Sequence, residues 1–353
     1  MKKLISILMA GAAAITVLSG CQGTGTKAAA EDGKKVESES GKDVQTKNAP
    51  EIVFKYGEPN PEEHPMSQGA LKFKELLEER SGGRIRVDLY FNGTLGDEKT
   101  SMQALQIGTM DFFRATTNAM PDYGVDTMNA MALPYVFRDL DHLSKALRSD
   151  LGEELLDDIQ EAGTQMVGIS YMEEGPRNLF FTGKAVSKLA DLKGLKIRVP
   201  ENQVMLDTIK ALGANPTPIS YSELYTSLQT GVVDGAENGI TGYISNSFFE
   251  VAPYYVKDAH TFGAGILLMS EKSWNELSEE DQKLVKEAGA ESMDAVLEYT
   301  KEIEVQYYSE LESKGVTCIE VEDLDKWQEA VQPLYASYSQ EVQNVIARVQ
   351  AIN

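Results

Sequence analysis

The chain has 353 residues, a formal net charge of −22 and two cysteines. An acidic excess of this size excludes nucleic acid as a natural partner, and long-range steering does not favour an anionic ligand. If the ligand is an anion, locally placed arginines must recognise it.

The first segment, MKKLISILMAGAAAITVLSGC, starts with Lys2 and Lys3, continues through the apolar run Leu4–Val17 and ends at Cys21. It reads as an export signal over 1–20, and it is shorter than the roughly 20 apolar residues of a membrane span. Leu18-Ser19-Gly20-Cys21 resembles a bacterial lipoprotein box, which implies cleavage before Cys21 and a lipid on its thiol. That places the protein outside the cytoplasm, anchored to the membrane through its N-terminal lipid. Residues 21–50 are rich in Gly, Lys, Glu, Ser, Thr and Ala, and cannot bury enough apolar surface to offset ordering. They read as a tether. With Cys21 lipidated, Cys318 has no partner for an internal disulfide; in GVTCIE it reads as a small buried strand residue.

The body begins near Glu51, and its length suits two domains. Ile52, Phe54 and Tyr56 alternate as a strand. Pro65 opens a helix to about Arg80, spaced by Ala70, Phe73 and Leu77. Ile85, Val87, Leu89 and Phe91 mark a second strand. Asp97 caps a helix to Ile107, where Gly108 stops it, and Met110–Phe113 reads as a short strand. This β-α-β-α-β order predicts an open α/β layer. Residues 141–162 read as helical and Gln165–Ser170 as a strand.

A second α/β block follows. Leu195, Ile197 and Val199 alternate with Lys196 and Arg198, and Pro200 ends the strand. A helix runs from Gln203 to Leu212, Pro216–Ile219 is extended, and Ser220-x-x-Glu223 fits a capping box before a helix ending at Gly231. LQIGTMD at Leu105–Asp111 and LQTGVVD at Leu228–Asp234 therefore occupy equivalent places. Each ends a helix, turns at a glycine and enters a short strand, so the chain has two similar lobes. Ligands in open α/β sheets sit outside the carboxyl ends of such strands. The last 90 or so residues read as bracing helices, Glu279–Val305 and Leu324–Ile352.

Catalytic signatures do not stand out. His64, His142 and His260 form no metal-spacing motif; His142 reads as solvated, and His64 and His260 are weak candidates for a cleft. There is no GxGxxG, GxxxxGK or GxSxG, and the pairs Glu62-Glu63, Glu78-Glu79 and Glu173-Glu174 read as solvated faces. The expectation is a binding protein without cofactor or metal, not an enzyme.

DLKGLKIRVPENQVMLDTIKALGANPTPISYSELYTSLQTGVVDGAEN, with SGGRIRVDLYFNGTLGDE and ALPYVFRD before it, resembles the solute-binding proteins of tripartite ATP-independent periplasmic (TRAP) transporters, and the likeness runs through the body. It implies a two-lobed α/β fold of periplasmic-binding-protein type with long C-terminal helices, closing over an organic acid and delivering it to membrane subunits. The lobes are expected at 51–174 with 265–303, and at 175–264 with 304–353. The chain is expected to act as a monomer.

The family's carboxylate-holding arginine matches Arg198 of KIRVP. Physically the position suits it, since a guanidinium on a rigid strand grips a carboxylate bidentately. The resemblance assigns Arg177 to the same carboxylate or a neighbouring oxygen, and Asn238 to the carboxylate through its neutral amide; Asn238-Gly239 also fits a plain turn. In the first lobe, FFRATTNAM puts Arg114 after the strand. Several arginines around one site suggest more oxygens than a simple monocarboxylate carries. The expected ligand is a hexuronate such as glucuronate or galacturonate, its carboxylate on Arg198 and its hydroxyls reaching Arg114, Glu98 and Asn118. Glu98 equally suits a helix-dipole partner. Phe112, Phe113, Tyr135 and Phe180 are candidates for a sugar-stacking wall or for core. Sialic acid, a C4-dicarboxylate and an aromatic or keto acid remain open alternatives, as does a sensory role beside transport.

Overall fold

The computed structural model describes residues 49–353. The export signal, Cys21 and all but the end of the tether lie outside the described residues. Strands β1 (Ile52–Gly57), β2 (Ile85–Tyr90) and β3 (Phe112–Thr116) alternate with helices α1 (Pro65–Arg80) and α2 (Glu98–Gln106). They form a parallel layer in the order β2-β1-β3. Two short 3-10 turns and α3 (Asn129–Ala132), α4 (Leu140–Leu147) and α5 (Asp150–Glu161) lead into β4 (Met166–Phe181). The second layer comprises β5 (Lys196–Val199), α6 (Gln203–Ala211), β6 (Asn215–Pro218), α7 (Leu224–Gln229) and β7 (Gly235–Gly239), with order β7-β5-β6. Then come α8 (Ile240–Ser245), β8 (Tyr254–Ser270), α9 (Glu271–Asn275), α10 (Glu279–Glu310), β9 (Thr317–Glu320), α11 (Leu324–Tyr335) and α12 (Gln340–Ala351).

β4 and β8 join the lobes. They are antiparallel to each other and long, at 16 and 17 residues. The end of β8 pairs with β3 of the first lobe, and the end of β4 pairs with β7 of the second. Their mutual register shifts between Glu173 and Pro176 and again between Arg177 and Leu179. Such bulges bend a strand and re-aim its side chains, here within the crossing. Opposite them Ala259 has φ +43°, a strained value for a residue with a Cβ.

The 32-residue α10 also spans both lobes. Val285, Ala288 and Val296 pack on Phe73, Phe112 and Met269 of the first lobe. Tyr307 and Tyr308 join the cluster of Leu228, Tyr243 and Tyr255 in the second. α11 packs on α6, whereas α12 packs on α3 and the turn Asp126–Met128, and Arg348 pairs with Glu154 of α5 at 2.6 Å. The 304–353 block is thus shared between the lobes rather than kept to the second.

The two LQxGxxD stretches have matching geometry. Gly108 and Gly231 have φ of +70° and +71°, left-handed values that favour glycine. Asp111 N–H donates to Lys55 O, and Asp111 Oδ2 accepts Lys55 N–H at 2.8 Å. Asp234 N–H donates to Lys196 O, and Asp234 Oδ2 accepts Lys196 N–H at 2.8 Å. Each aspartate ties its strand to the adjacent parallel strand. Asp111→Ala and Asp234→Ala are expected to lower stability by about 1–2 kcal/mol each in urea unfolding, without changing ligand affinity. Asp111 is expected to cost more, because it also accepts from Ser273 Oγ at 2.6 Å.

Several local expectations are corrected. Residues 141–162 form two helices, and the third strand begins later than read, so Arg114 lies within β3. Ser220 Oγ bonds the Glu223 carboxylate at 2.9 Å instead of capping a backbone N–H. Cys318 does lie in a strand, but it is exposed. His142 is buried, its Nδ1 accepting Arg138 N–H and its Nε2 3.0 Å from Val349 O, because α12 covers α4. Glu173 and Glu174 are buried because β4 continues past Ser170 into the interlobe crossing. Phe112 packs edge-on to Phe54 and Phe73, Phe113 is core, Phe180 stacks on Phe248, and Tyr135 packs against the core. These contacts assign all four to packing.

Candidate ligand-binding site

Arg198 is the third residue of β5, at the carboxyl end of that strand and paired in register with Thr217 of β6. It is 2% exposed. Nε donates to Ile219 O at 2.8 Å, the guanidinium stands 5.7 Å from the Tyr221 ring centre, and Nη1 is buried without a hydrogen-bond partner. Burial pulls its pKa down to about 10, against the opposing pull of Glu237 and Tyr221. A desolvated cation with an unused donor seeks an acceptor.

The other two arginines are already paired. Arg177, beside the bulges of β4, donates from Nε and Nη2 to the Glu237 carboxylate at 2.6 and 3.0 Å. Its Nη1 donates to Glu174 at 3.0 Å. Arg114 donates from Nε and Nη2 to the Glu58 carboxylate at 3.1 and 2.7 Å. Burial opposes both charges, but Glu237 and Glu174 hold the pKa of Arg177 up, as Glu58 does for Arg114. Gly265 gives Arg114 room, since a Cβ there would lie 2.7 Å from Arg114 Cδ.

Asn238 lies in β7 and is not in a tight turn. Its Nδ2 donates to Tyr221 Oη at 3.1 Å and its Oδ1 accepts Gly239 N–H at 2.8 Å. Tyr221 Oη also accepts from Asn246 at 3.0 Å. Arg114, Asn118, Glu174 and Arg177 line one small internal space together with Met66, Thr116 and Gly263–Gly265. Glu98 stands beside this group, and its Oε1 accepts Thr116 N–H at 2.6 Å, which fastens α2 to the end of β3. All six predicted side chains therefore converge at the facing ends of the two layers. A larger surface groove between α5 and α12 contains none of them.

Sequence reading missed Glu58, Tyr221 and Glu237 at this site and misjudged Glu174. Glu237 had a signal: counted from each motif aspartate, it matches Arg114, and Asn238 falls one residue later. His260 is buried too. Its Nδ1 lies 2.6 Å from Asp258 Oδ2 and its Nε2 lies 3.8 Å from Glu237. Burial disfavours its charge, but Asp258 and Glu237 prevail and raise its pKa to about 9. A raised histidine contributes full stability below its unfolded pKa near 6.5 and loses it as pH rises through 9. Unfolding measured from pH 6.5 to 9 should show a loss of roughly 2–3 kcal/mol, which His260→Gln removes. His64 is also buried, and its Nδ1 accepts Met66 N–H as the cap of α1.

Among the described residues, no group of three or more His, Cys, Asp or Glu side chains is placed to hold a metal ion. No helix there is long and apolar enough to cross a membrane. The arrangement suits grip rather than turnover: one unsatisfied arginine, amide donors beside it and paired charges around it.

Residues 56–341 match the family model "Bacterial extracellular solute-binding protein, family 7" (DctP). A TRAP periplasmic solute-binding protein from Bradyrhizobium sp., solved with galacturonate, is 34% identical with a TM-score of 0.81, over 84% of this chain and 99% of its own. One from Pseudomonas putida F1, solved with D-glucuronate, is 30% identical with a TM-score of 0.81, over 85% of this chain and 97% of its own. The sialic acid-binding periplasmic protein of Vibrio cholerae is 32% identical over 79% of this chain and 86% of its own.

Proposed function

The chain belongs to family 7 of the bacterial extracellular solute-binding proteins, the extracytoplasmic, non-catalytic components of TRAP transporters, and on that premise we propose that it captures a hydroxylated monocarboxylate, best a hexuronate such as galacturonate or glucuronate. The observation that carries this reading is the charge state of the three arginines. Arg114 and Arg177 are neutralised by glutamates of the protein, and Arg198 alone offers a buried, unpartnered Nη1. One free cation suits one carboxylate.

In this reading the carboxylate sits on Arg198 with Asn238 beside it. An arginine has five N–H groups, so the bonds to glutamates leave Arg177 and Arg114 with donors for the neighbouring oxygens. Glu98 and Asn118 accept from or donate to ring hydroxyls. Relatives with bound galacturonate and D-glucuronate support the sugar-acid class. Sialic acid is also a monocarboxylate, so the Vibrio cholerae relative makes it the second reading. A ligand that bonds both lobes shifts the hinge at β4 and β8 toward closure, and the closed monomer then presents its load to the membrane subunits. We also assign the lipid to Cys21, on the lipoprotein box, with 21–50 as the tether.

The test is a thermal-shift panel of uronates, aldonates, sialic acid and C4-dicarboxylates. Binding at about 100 times Kd stabilises the fold by about 2.7 kcal/mol. A hexuronate should give the largest shift. A shift with dicarboxylates alone contradicts the uronate reading and leaves the family standing.

A further inference from the structure

We propose that Glu58 sets the charge of the accepted ligand: by neutralising Arg114 it restricts the site to acids with one carboxylate. This rests on the monocarboxylate reading above and names the residue responsible for it. Arg114 lines the same internal space as Asn118, Glu174 and Arg177, so a second ligand carboxylate in that half of the cleft would meet it. Glu58 occupies it first. The carboxylate is fully buried, and it takes Arg114 in the two-point geometry that matches a guanidinium best.

Glu58 is itself held in place. Its Oε1 also accepts from Asn60 N–H at 2.9 Å and from Asn60 Nδ2 at 3.1 Å. Its backbone N–H donates to Tyr90 O, and its carbonyl accepts Gly93 N–H, so the residue is fastened to the turn after β2. Arg114 has its stem seated against Gly265. A second carboxylate would have to displace Glu58 and strand a buried charge with only Asn60 beside it, or else remain in the cleft without its own cation. Both routes are unfavourable in a desolvated site. A hydroxyl needs neither, because the N–H groups of Arg114 that Glu58 leaves unused suffice for it. The second-lobe pair repeats the logic, with Glu237 and Glu174 occupying Arg177.

The test is titration calorimetry of the full chain with galacturonate and with succinate. Wild-type protein should prefer galacturonate. Glu58→Gln keeps the shape and an acceptor for Arg114 but removes the charge. It should lower the ratio of succinate Kd to galacturonate Kd by about tenfold or more. A ratio within about twofold of wild type overturns the proposal. The double variant Glu58→Gln/Arg114→Gln removes both charges together, so it should keep the wild-type preference for galacturonate. That prediction stands even where the single variant does not fold, and loss of the preference in the double variant also overturns the proposal. A wild-type preference for succinate contradicts the functional reading itself, a result separate from the change of ratio that Glu58→Gln reports.

Discussion

Arg198→Ala is expected to weaken binding of the organic acid by about 2–5 kcal/mol, roughly 30- to 5000-fold in Kd. The size follows from where the charge lies. Arg198 is 2% exposed and its Nη1 has no protein acceptor, so the free protein already holds a desolvated cation for the ligand to satisfy. Without it, a ligand carboxylate enters the cleft with no counter-charge of its own, since Arg114 and Arg177 remain on their glutamates. Arg198→Lys should also bind weakly, because a lysine lacks the planar fork that takes two carboxylate oxygens together. The ligand-free protein should behave the other way. Removing a buried cation that lacks an acid partner should leave its stability unchanged or raise it. Calorimetry with galacturonate and melting curves without ligand measure the two effects. Unchanged affinity in Arg198→Ala would end the assignment.

Glu237→Gln is expected to cost about 3–5 kcal/mol of stability, the range for breaking a buried ion pair from one side. Its carboxylate is fully buried, receives two bonds from Arg177 and faces His260. Burial alone would raise its pKa, yet Arg177 and His260 outweigh this and hold it at about 2. A depressed carboxylate contributes stability that is fully present above its unfolded pKa near 4.3 and is lost as pH falls toward 2. Wild-type protein should therefore lose stability over that acid window, and the variant should lose less there. Removing Arg177 together with Glu237, as Arg177→Met/Glu237→Gln, should recover part of the loss, because neither charge is then left alone. Denaturant unfolding at pH 7 measures it. A loss below about 1 kcal/mol would mean that the pair does not hold the interlobe crossing.

Where one periodicity sufficed, the elements were legible. α1 was read at its observed ends, and β5 was read from its alternation, because a cap, a proline or a glycine stood at each boundary. The repeated LQxGxxD showed two lobes because the same turn and the same aspartate bond recur. The crossing strands were less legible. β4 runs on through Glu173, Glu174, Gly175 and Pro176, a polar stretch that reads as a surface turn. Burial there comes from the other lobe and from α10, and no local pattern encodes it. The site was legible on one side only. Arg198, Arg177, Arg114 and Asn238 converge as expected, but their partners Glu58, Glu174 and Glu237 come from distant strands. That changed the reasoning about the ligand. Three arginines suggested an oxygen-rich acid, whereas the structure leaves one of them without a carboxylate partner.

The crystal structure of the complex with galacturonate tests the central claim most directly. The account predicts the ligand carboxylate on the Arg198 guanidinium with Asn238 beside it, ring hydroxyls toward Arg114, and Arg114 still bonded to Glu58. A carboxylate seated on Arg114 with Glu58 displaced, and Arg198 touching only hydroxyls, would contradict it.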